Sequence, residues 1–409
     1  MADSVEITIE DVRTARRLLE PVINATPLEF SRALSDRVGT ECYLKCENLQ
    51  RAGSFKIRGA YTRMSRLGSQ ERERGVVAAS AGNHAQGVAL AAQLLGIKAK
   101  VYMPVGAAMP KLAATRGYGA EVEQVGATLD ESLVVAGEFA ERTGAVLIHP
   151  FDHRDVVIGQ GTCGLEILEQ CPDVGTVVVG LGGGGLLAGI ALVLRAERPN
   201  VRIIGVQAEQ AAAYPHSLEV GRPVPAEHMR TMADGIAVGV PGHVNFPLVR
   251  DLVDEVVTVT EADLSRATLF LLERAKLVAE PAGAAATAYL LARGEDPDAP
   301  PLAGPVVSVI SGGNIDPLLM MRIIRHGMAS AGRYLQISVV VSDTPGHLAG
   351  LLTECAAAGA NVLDVEHLRT TTQIRVDEVE IGLILETRNQ AHQSEILTRL
   401  RERDYDVRP

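Results

Sequence analysis

The sequence predicts a large α/β unit built on parallel β-sheet, followed by a small α+β unit of ferredoxin-like order. The first prediction rests on two series, beginning near residues 76 and 176, in which apolar strand-like runs alternate with glycine-containing turns and helix-like segments. This alternation is typical of parallel sheets covered by helices on both faces. The second rests on the strand–helix–strand–strand–helix–strand order of the residues from 334 onward.

Composition restricts the class of protein. A chain of 409 residues, 47% hydrophobic and 22% charged, is typical of a globular protein with more than one domain. The formal net charge of −11 argues against binding to nucleic acid or to an anionic membrane. The sequence shows no membrane-spanning apolar run, no secretory leader and no metal-binding cysteine spacing. We therefore expect a cytoplasmic protein with reduced cysteines and no bound metal.

The elements of the α/β unit follow in order. A helix is predicted for residues 8–22, because Thr8 can cap its start and Asp11 stands three residues later. Other segments are assigned from their apolar pattern and the turns that bound them. They are a turn or docking segment at 26–30, a strand at 41–50, a helix at 60–67, strands at 75–80, 98–104, 120–126 and 176–180 that each lead into a helix, strands at 202–209 and 305–310, and a closing helix at 316–332.

The last part of the chain has a different pattern. Its predicted strands and helices alternate as β-α-β-β-α-β, which is the ferredoxin-like order. They are strands at 334–343, 360–369, 376–388 and 405–409, and helices at 344–359 and 393–404.

A glycine-rich turn, GLGGGGLLAGI at 180–190, follows a predicted strand and opens a helix. Glycines let the backbone approach an anion closely, and the helix start supplies free N–H groups, so this turn predicts a phosphate site. Gly180, Gly182 and Gly185 also fit the dinucleotide pattern, and Glu209 ends the next strand, where an acid would bind a ribose. A nicotinamide-dependent oxidoreductase is therefore one alternative.

Three further motifs favour a different cofactor. SAGNHAQG at 80–87 and SGGN at 311–314 are small-residue turns that each carry an amide, and GSFKIRGA at 53–60 holds a single lysine, Lys56, between glycines. A nicotinamide enzyme would leave these motifs unused. Pyridoxal phosphate has a phosphate, an aldehyde carbon, a ring oxygen and a ring nitrogen to be held, and it is anchored by a lysine Schiff base. The four motifs together therefore favour pyridoxal phosphate.

The four motifs, in this order, resemble the serine/threonine dehydratases among the fold type II pyridoxal-phosphate enzymes, which share a two-lobed fold like that of the tryptophan synthase β chain. The resemblance covers about residues 8–328 and includes MADGIAV at 232–238 and AEPAGAAA at 279–286. The DTPGHLAGL turn of the tail resembles an ACT regulatory domain. The resemblance implies a catalytic domain at 1–332, with its smaller lobe at about 52–150, and an ACT domain at 333–409.

The resemblance also implies roles for individual residues. Lys56 would anchor the cofactor and move the α-proton of the substrate. Ser311 would hydrogen-bond the pyridine nitrogen, and because a serine does not force that nitrogen to be protonated, elimination is favoured over transamination. The other residues expected at the cofactor are Phe55, Asn83, Gly182, Gly183, Gly184, Gly185, Leu186 and Glu280. The residues expected at the substrate are Ser80, Ala81, Gly82, Asn83 and His84, of which His84 is expected to have a structural role in the turn.

The implied reaction is the β-elimination of L-threonine to 2-oxobutanoate and ammonia, and of L-serine to pyruvate, in isoleucine biosynthesis or threonine catabolism. A serine racemase or a β-replacement synthase of the same fold is a second alternative. Ala81 stands where racemases of the family tend to carry a serine, which argues against racemisation. Those relatives can hold a cation; here Glu209 and Ala213 match, but Pro215 replaces an acidic ligand, so no metal is predicted.

The tail is expected to be a sensor of a small amino acid, with isoleucine or valine as the candidate effector. The expected effector residues are Asp343, Gly346, His347, Asn361 and Leu363. Because the chain carries a single unit of this kind, two chains would have to combine to make a paired site, and a homodimer or homotetramer is expected. A non-catalytic sensor that uses only the tail is the remaining alternative.

Overall fold

The computed structural model describes residues 7–80, 82–330, 332–369 and 375–408, and these form two compact units divided after Asp316. The α-helices are α1 (Ile9–Leu19), α2 (Arg32–Val38), α3 (Lys56–Ser65), α4 (Ser69–Arg74), α5 (Asn83–Leu95), α6 (Met109–Gly117), α7 (Leu129–Thr143), α8 (Arg154–Gln170), α9 (Gly185–Glu197), α10 (Tyr214–Val220), α11 (Asn245–Leu252), α12 (Glu261–Phe270), α13 (Pro281–Gly294), α14 (Pro317–Ser330), α15 (His347–Ala357) and α16 (Gln390–Glu402). The strands are β1 (Leu28–Phe30), β2 (Cys42–Lys45), β3 (Val76–Ala79), β4 (Ala99–Met103), β5 (Glu121–Gln124), β6 (Val146–Leu147), β7 (Thr176–Gly180), β8 (Arg202–Ala208), β9 (Glu255–Val259), β10 (Val306–Val309), β11 (Tyr334–Ser342), β12 (Asn361–Leu368), β13 (Glu378–Glu386) and β14 (Asp406–Arg408).

The first unit contains two sheets, as the two strand–helix series predict. The larger sheet has the order β1-β2-β10-β7-β8-β9, and all its neighbours are parallel except β1 and β2. The smaller sheet, β5-β4-β3-β6, is entirely parallel. Strands β3, β7 and β10 are buried along their whole length, so their continuous apolar runs have helices on both faces.

Local sequence signals explain several helix starts, and a few segments differ from the prediction. Helix α1 begins with the predicted capping box, in which Thr8 and Asp11 bond each other's backbone N–H. Residues 26–30, expected to be a turn or docking segment, contain β1, which pairs with β2. The strand predicted for 41–50 ends at Lys45, and the helix predicted for 60–67 begins at Lys56, because short-range patterns define element ends poorly.

The second unit has the ferredoxin-like fold. Its antiparallel sheet has the order β12-β13-β11-β14, and α15 and α16 supply the two helices. Strands β11 and β13 alternate buried and partly exposed residues, as strands with one covered face do. Helix α14 groups with this unit, whereas the predicted boundary at 332/333 assigned it to the first one.

Among the described residues, each helix is too short or too polar to cross a lipid bilayer.

Candidate active site

The four motifs of the first unit meet around one cavity of about 290 Å³. Each motif follows a strand or opens a helix, and parallel strands bring such turns to one edge of a sheet. The cavity is lined by Phe55 and Lys56, by Ser80, Gly82, Asn83 and His84, by Gly182, Gly183, Gly184, Gly185 and Leu186, and by Glu280 and Ser311. Of the cofactor and substrate residues expected from the sequence, only Ala81 lies outside the described residues.

Lys56 is the first residue of α3 and lines the cavity. Its Nζ donates to the carbonyl oxygen of Pro150 at 3.0 Å and lies 5.1 Å from the centroid of the Phe55 ring. The turn before it is tied to the 311–314 motif, because the Phe55 N–H donates to the Ser311 carbonyl at 3.2 Å. Burial lowers the pKa of Lys56 to about 8, although Glu280 acts in the opposite direction. A neutral amine is therefore accessible close to physiological pH.

The glycine turn forms a cradle between β7 and α9. Gly184 has φ +99°, and a Cβ there would lie 2.1 Å from the Tyr214 hydroxyl oxygen. A Cβ on Gly183 would lie 2.3 Å from the Phe151 ring. Glycine is thus required at both positions, and the first N–H groups of α9 lack intrahelical acceptors. A phosphate is the anion that such a cradle suits.

Two residues that the sequence did not single out hold this cradle in place. The Tyr214 hydroxyl donates to the Gly183 carbonyl at 3.2 Å, and the Asn245 side-chain amide donates to the same oxygen at 2.8 Å. Both side chains lie on helices that follow the glycine turn by many residues, in segments without a motif. The sequence pattern predicts no helix for either segment, so nothing in the sequence marks these two residues.

Asn83 and Glu280 both line the cavity and contact each other. The Asn83 amide donates a short hydrogen bond to the Glu280 carboxylate, and both residues are buried. Burial raises the pKa of Glu280 to about 7, with Asp234 adding to the effect and Lys111 opposing it. Glu280 can therefore hold a proton near neutral pH, which is unusual for a carboxyl group. The role of Glu280 at the cofactor stays a prediction.

His84 is not suited to proton transfer. Its Nε2 lies 2.8 Å from the Ile148 carbonyl oxygen, and burial, followed by the charge of Lys56, lowers its pKa to about 3. The ring is therefore neutral at physiological pH. Its expected structural role in the turn is compatible with this contact and stays a prediction.

The sequence did not predict the ion pair that lines the cavity. The Lys111 ammonium lies 2.5 Å from the Asp234 carboxylate, and both residues line the cavity. Lys111 is on α6 of the smaller-sheet region, whereas Asp234 lies in the MADGIAV segment. The sequence pattern of that segment gives no reason to single out the aspartate.

No group of three or more His, Cys, Asp or Glu side chains suited to a metal ion is found within the described part of the chain. Glu209 begins a short helical turn after β8, and Pro215 lies in the first turn of α10. The expectation of a metal-free site stays a prediction.

A second cavity lies within the ferredoxin-like unit. Its lining includes Asp343 and Gly346, as expected, and Arg369, which was not expected. His347, Asn361 and Leu363 are not among its lining residues. The Arg369 guanidinium donates to the Asp343 carboxylate at 2.9 and 3.1 Å, so the cavity presents both a cation and an anion.

Comparisons with known proteins show the family to which the chain belongs. Residues 19–312 match the family described as pyridoxal-phosphate dependent enzyme, and the chain belongs to that family of pyridoxal-phosphate enzymes. Over 403 residues it is 47% identical to the L-threonine ammonia-lyase of Thermotoga maritima, covering 98% of this chain and 99% of that protein.

Solved structures show the same fold. The crystal structure of a threonine deaminase from T.th. superposes with a TM-score of 0.70 at 42% identity, over 76% of this chain and 99% of that one. The maize serine racemase superposes with a TM-score of 0.73 at 34% identity, over 79% of this chain and 98% of that one. The predicted family, fold class and cofactor are confirmed, and the nicotinamide alternative is set aside.

The residues present fit pyridoxal phosphate. The glycine cradle has no room for side chains at Gly183 and Gly184, which leaves its N–H groups for a phosphate. A lysine amine and an uncharged hydroxyl, from Lys56 and Ser311, line the same cavity. An amine can form the Schiff base with the aldehyde carbon of this cofactor, and a hydroxyl can donate a hydrogen bond to its ring nitrogen.

Proposed function

We propose that this protein deaminates L-threonine to 2-oxobutanoate and ammonia by β-elimination, and L-serine to pyruvate. The observation that carries the proposal is the Lys56 amine, whose pKa is lowered to about 8, in one cavity with the glycine cradle. The nearly full-length identity to an L-threonine ammonia-lyase supports threonine as the substrate.

Bound pyridoxal phosphate would withdraw electrons from the substrate Cα and so acidify its α-proton. Lys56 is the base that removes this proton, because burial keeps a useful fraction of its amine neutral. Asn83 and Ser311 line the same cavity; when the cofactor is bound, the Asn83 amide would donate to its ring oxygen, and the Ser311 hydroxyl would hydrogen-bond its ring nitrogen without adding a charge. Loss of the β-hydroxyl as water gives an enamine. Its imine tautomer is then hydrolysed, which consumes one water and releases ammonia. The net products are one 2-oxo acid and one ammonia.

The substrate carboxylate is proposed to lie at the start of α5. Ser80 and Gly82 precede this helix, whose first N–H groups and positive dipole end favour an anion. The Ser80 hydroxyl accepts from the Gly82 N–H at 3.1 Å, which holds the turn in shape. Serine racemisation is a second candidate activity, favoured by the similarity to the maize serine racemase.

The test combines a spectrum with an assay of products. The purified wild type should show an absorption band near about 410–420 nm that borohydride abolishes, and Lys56→Ala should lack it. The wild type should release 2-oxobutanoate from L-threonine, and D-serine should not accumulate from L-serine. Lys98→Ala, at an exposed lysine, serves as control and should behave as wild type. A band without threonine turnover would contradict the proposed substrate but not the cofactor site.

We also propose that the ferredoxin-like unit is an ACT domain that senses isoleucine or valine. The Asp343–Arg369 pair supports this, because the ammonium and carboxylate of a free amino acid complement these two charges. His347, Asn361 and Leu363 remain candidates for a site shared by two chains, in a cytoplasmic homodimer or homotetramer. The reaction would then belong to isoleucine biosynthesis or to threonine catabolism.

Titration of isoleucine and of valine against the initial rate tests the regulatory proposal. The full-length chain should respond, whereas a chain ending after Asp316, which lacks the second unit, should not. Asp343→Asn should weaken the response without changing the unregulated rate. Equal rates at all effector concentrations in both chains would contradict the proposal.

A further inference from the structure

Asn314 ends the SGGN motif, and the proposed reaction gives it no task. Its side-chain Nδ2 donates to the carbonyl oxygen of Ala52 at 2.7 Å and to the side-chain Oδ1 of Asn83 at 2.8 Å. The three residues lie far apart in the sequence, so one half-buried side chain joins three separate loops.

The bond to Asn83 fixes which end of that amide faces the cavity. The Asn83 oxygen is occupied by Asn314, so the Asn83 nitrogen must face Glu280, to which it donates. An amide nitrogen carries two hydrogens; one is given to Glu280, and among the described residues the second has no acceptor, so it can serve an acceptor in the cavity that Asn83 lines. The oxygen and nitrogen ends have nearly the same shape, so only hydrogen-bond partners decide between them. Asn314 fixes the oxygen end by donating to it, and Glu280 fixes the nitrogen end by accepting from it.

The bond to Ala52 holds the turn that leads to Lys56. Ala52 has φ +59° and Gly53 has φ +69°, and an alanine in this left-handed region costs roughly 1–2 kcal/mol. A Cβ on Gly53 would lie 2.3 Å from the Asn314 oxygen, so the two residues are in close contact. The Gly313 N–H also donates to the Gly53 carbonyl at 2.9 Å. The 311–314 loop is therefore attached to the lysine-bearing turn by main chain and side chain alike.

We infer that Asn314 is a positioning residue that orients the Asn83 amide so that its N–H points at the ring oxygen of pyridoxal phosphate. The inference rests on the cofactor site of the proposed function, and it does not depend on the identity of the amino-acid substrate. Asn314 contacts neither substrate nor cofactor in this assignment; it acts through Asn83.

Asn314→Asp reverses the bond. A carboxylate cannot donate, so Asn83 turns over to donate to it and presents its own oxygen to Glu280 and to the cavity. Loss of one donor to the cofactor, and its replacement by an acceptor, should raise the dissociation constant for pyridoxal phosphate about tenfold. Asn314→Ala removes the constraint without reversing it and should raise the constant about threefold. The matched control is Asn200→Asp, which places the same charge on an exposed loop.

A double-mutant cycle with Asn83→Ala separates action through Asn83 from every other role. The full-length chain, stripped of cofactor, is titrated with pyridoxal phosphate and followed by absorbance, with thermal unfolding of each cofactor-free variant as a check on folding. In the Asn83→Ala background, Asn314→Asp should raise the dissociation constant by about twofold at most, and this remainder comes from the lost bond between the Asn314 amide and Ala52.

An equal effect of Asn314→Asp in both backgrounds would overturn the inference, because Asn314 would then act without Asn83. An unchanged dissociation constant in the wild-type background would overturn it as well. If the aspartate variant does not fold, the same cycle built with Asn314→Ala decides the question. Since no amino-acid substrate is present, failure here is distinct from failure of threonine turnover.

Discussion

At the scale of single residues, the reactivity of the site depends on two buried groups of opposite charge type. Burial lowers the pKa of Lys56 to about 8 and raises the pKa of Glu280 to about 7. Both shifts favour the neutral form of the group, as desolvation does. The amine is mostly neutral above about pH 8 and the carboxyl group mostly protonated below about pH 7, so both groups titrate close to physiological pH, which suits groups that exchange protons.

The pH dependence of turnover should follow the Lys56 amine. Because its pKa is lowered from the usual 10.5 to about 8, kcat should be small well below pH 8 and should rise as the pH passes through that value. The measurement is the pH profile of kcat with L-threonine at saturation. In Lys56→Ala, any turnover restored by an added primary amine should instead follow the pKa of that amine. A wild-type profile that is flat between pH 6 and about 9 would contradict Lys56 as the base.

The raised pKa of Glu280 predicts how the stability of the fold depends on pH. Its pKa in the folded state lies above its usual value of 4.5, so the stability it contributes is complete below about pH 4.5 and is lost as the pH rises through about 7. Glu280→Gln cannot ionise, and its unfolding temperature should therefore gain on the wild type by about 3 °C or more between pH 5.5 and about 8.5. Glu141→Gln, at an exposed glutamate, should show no such gain. A constant difference at both pH values would refute the assignment.

At the scale of elements, two devices place the reactive residues. One is the glycine turn, whose carbonyl at Gly183 is held by side chains from α10 and α11. The other is the close packing of α3, which starts at Lys56, between α5 and α8. A Cβ on Gly87 of α5 would come within 3.1 Å of the Lys56 backbone, and a Cβ on Gly159 of α8 within 2.4 Å of the Arg58 carbonyl oxygen. Small residues on both neighbours therefore set the position of the lysine.

Gly184→Ala should weaken cofactor binding strongly. Alanine at this position would have to adopt a left-handed backbone conformation, and its Cβ would lie 2.1 Å from the Tyr214 hydroxyl oxygen. The cradle would therefore have to open. Gly221→Ala is the matched control, because Gly221 also has positive φ but no atom within 4 Å of its added Cβ. We expect the dissociation constant for pyridoxal phosphate to rise by about tenfold or more in the first variant only. Similar constants for the two variants would show that the cradle tolerates a side chain.

A buried charge cluster joins α3 to the larger sheet. Glu166 on α8 pairs with Lys45 at 2.7 Å and with Arg58 at 2.8 Å, and Arg58 also pairs with Glu47 at 2.7 Å. All four side chains are at most 1% exposed. Although burial acts to raise it, the pKa of Glu166 lies below its usual value because Arg58 and Lys45 surround the carboxylate.

Glu166→Gln should destabilise the fold by about 3–5 kcal/mol, because it leaves Lys45 and Arg58 buried with too little negative charge. Glu169→Gln is the control on the same helix, since Glu169 is 61% exposed and its ion pair with Arg16 is long at 3.4 Å. That change should cost less than about 1 kcal/mol. Denaturant unfolding of both variants measures the difference, and equal effects would contradict a structural role for the cluster.

At the scale of the whole molecule, the chain consists of two units with separate hydrophobic cores. The ferredoxin-like unit has its own core cluster, which includes Ile337, Val339, Ile381 and Leu383. The first unit contains both sheets and every residue around the cofactor cavity. The two units should therefore be separable without loss of the cofactor site.

The place of the division decides how well a truncated chain behaves. A chain ending after Asp316 should bind pyridoxal phosphate and remain soluble. One ending at residue 332 keeps α14 but removes β11, which this helix contacts, so the side of α14 that faces β11 becomes exposed. We expect the chain ending at residue 332 to aggregate more readily than the chain ending after Asp316, as measured by light scattering on heating. Better behaviour of the longer chain would favour the boundary predicted from the sequence.

The amino-acid sequence alone was enough to predict the alternation of strands and helices around the motifs, the ferredoxin-like order of the tail, the glycine turn, the lysine near a helix start and, through these motifs, the cofactor class. Such features depend on short-range chemistry: apolar periodicity, backbone freedom of glycine and the free N–H groups of a helix start. The sequence pattern assigned no helix or strand between residues 210 and 304, where the structure has α10, α11, β9, α12 and α13. The sequence defined less well where elements begin and end, as β1 and the start of α3 illustrate.

Which of these groups meet depends on the folded chain. The bonds from Asn83 to Glu280 and from Asn314 to Asn83 join residues 197 and 231 positions apart, and no local pattern encodes such a pairing. The same is true of Tyr214 and Asn245 beneath the glycine turn, and of Arg369 beside Asp343. The pKa values of Lys56 and Glu280 also depend on burial, which exists only once the chain has folded around them.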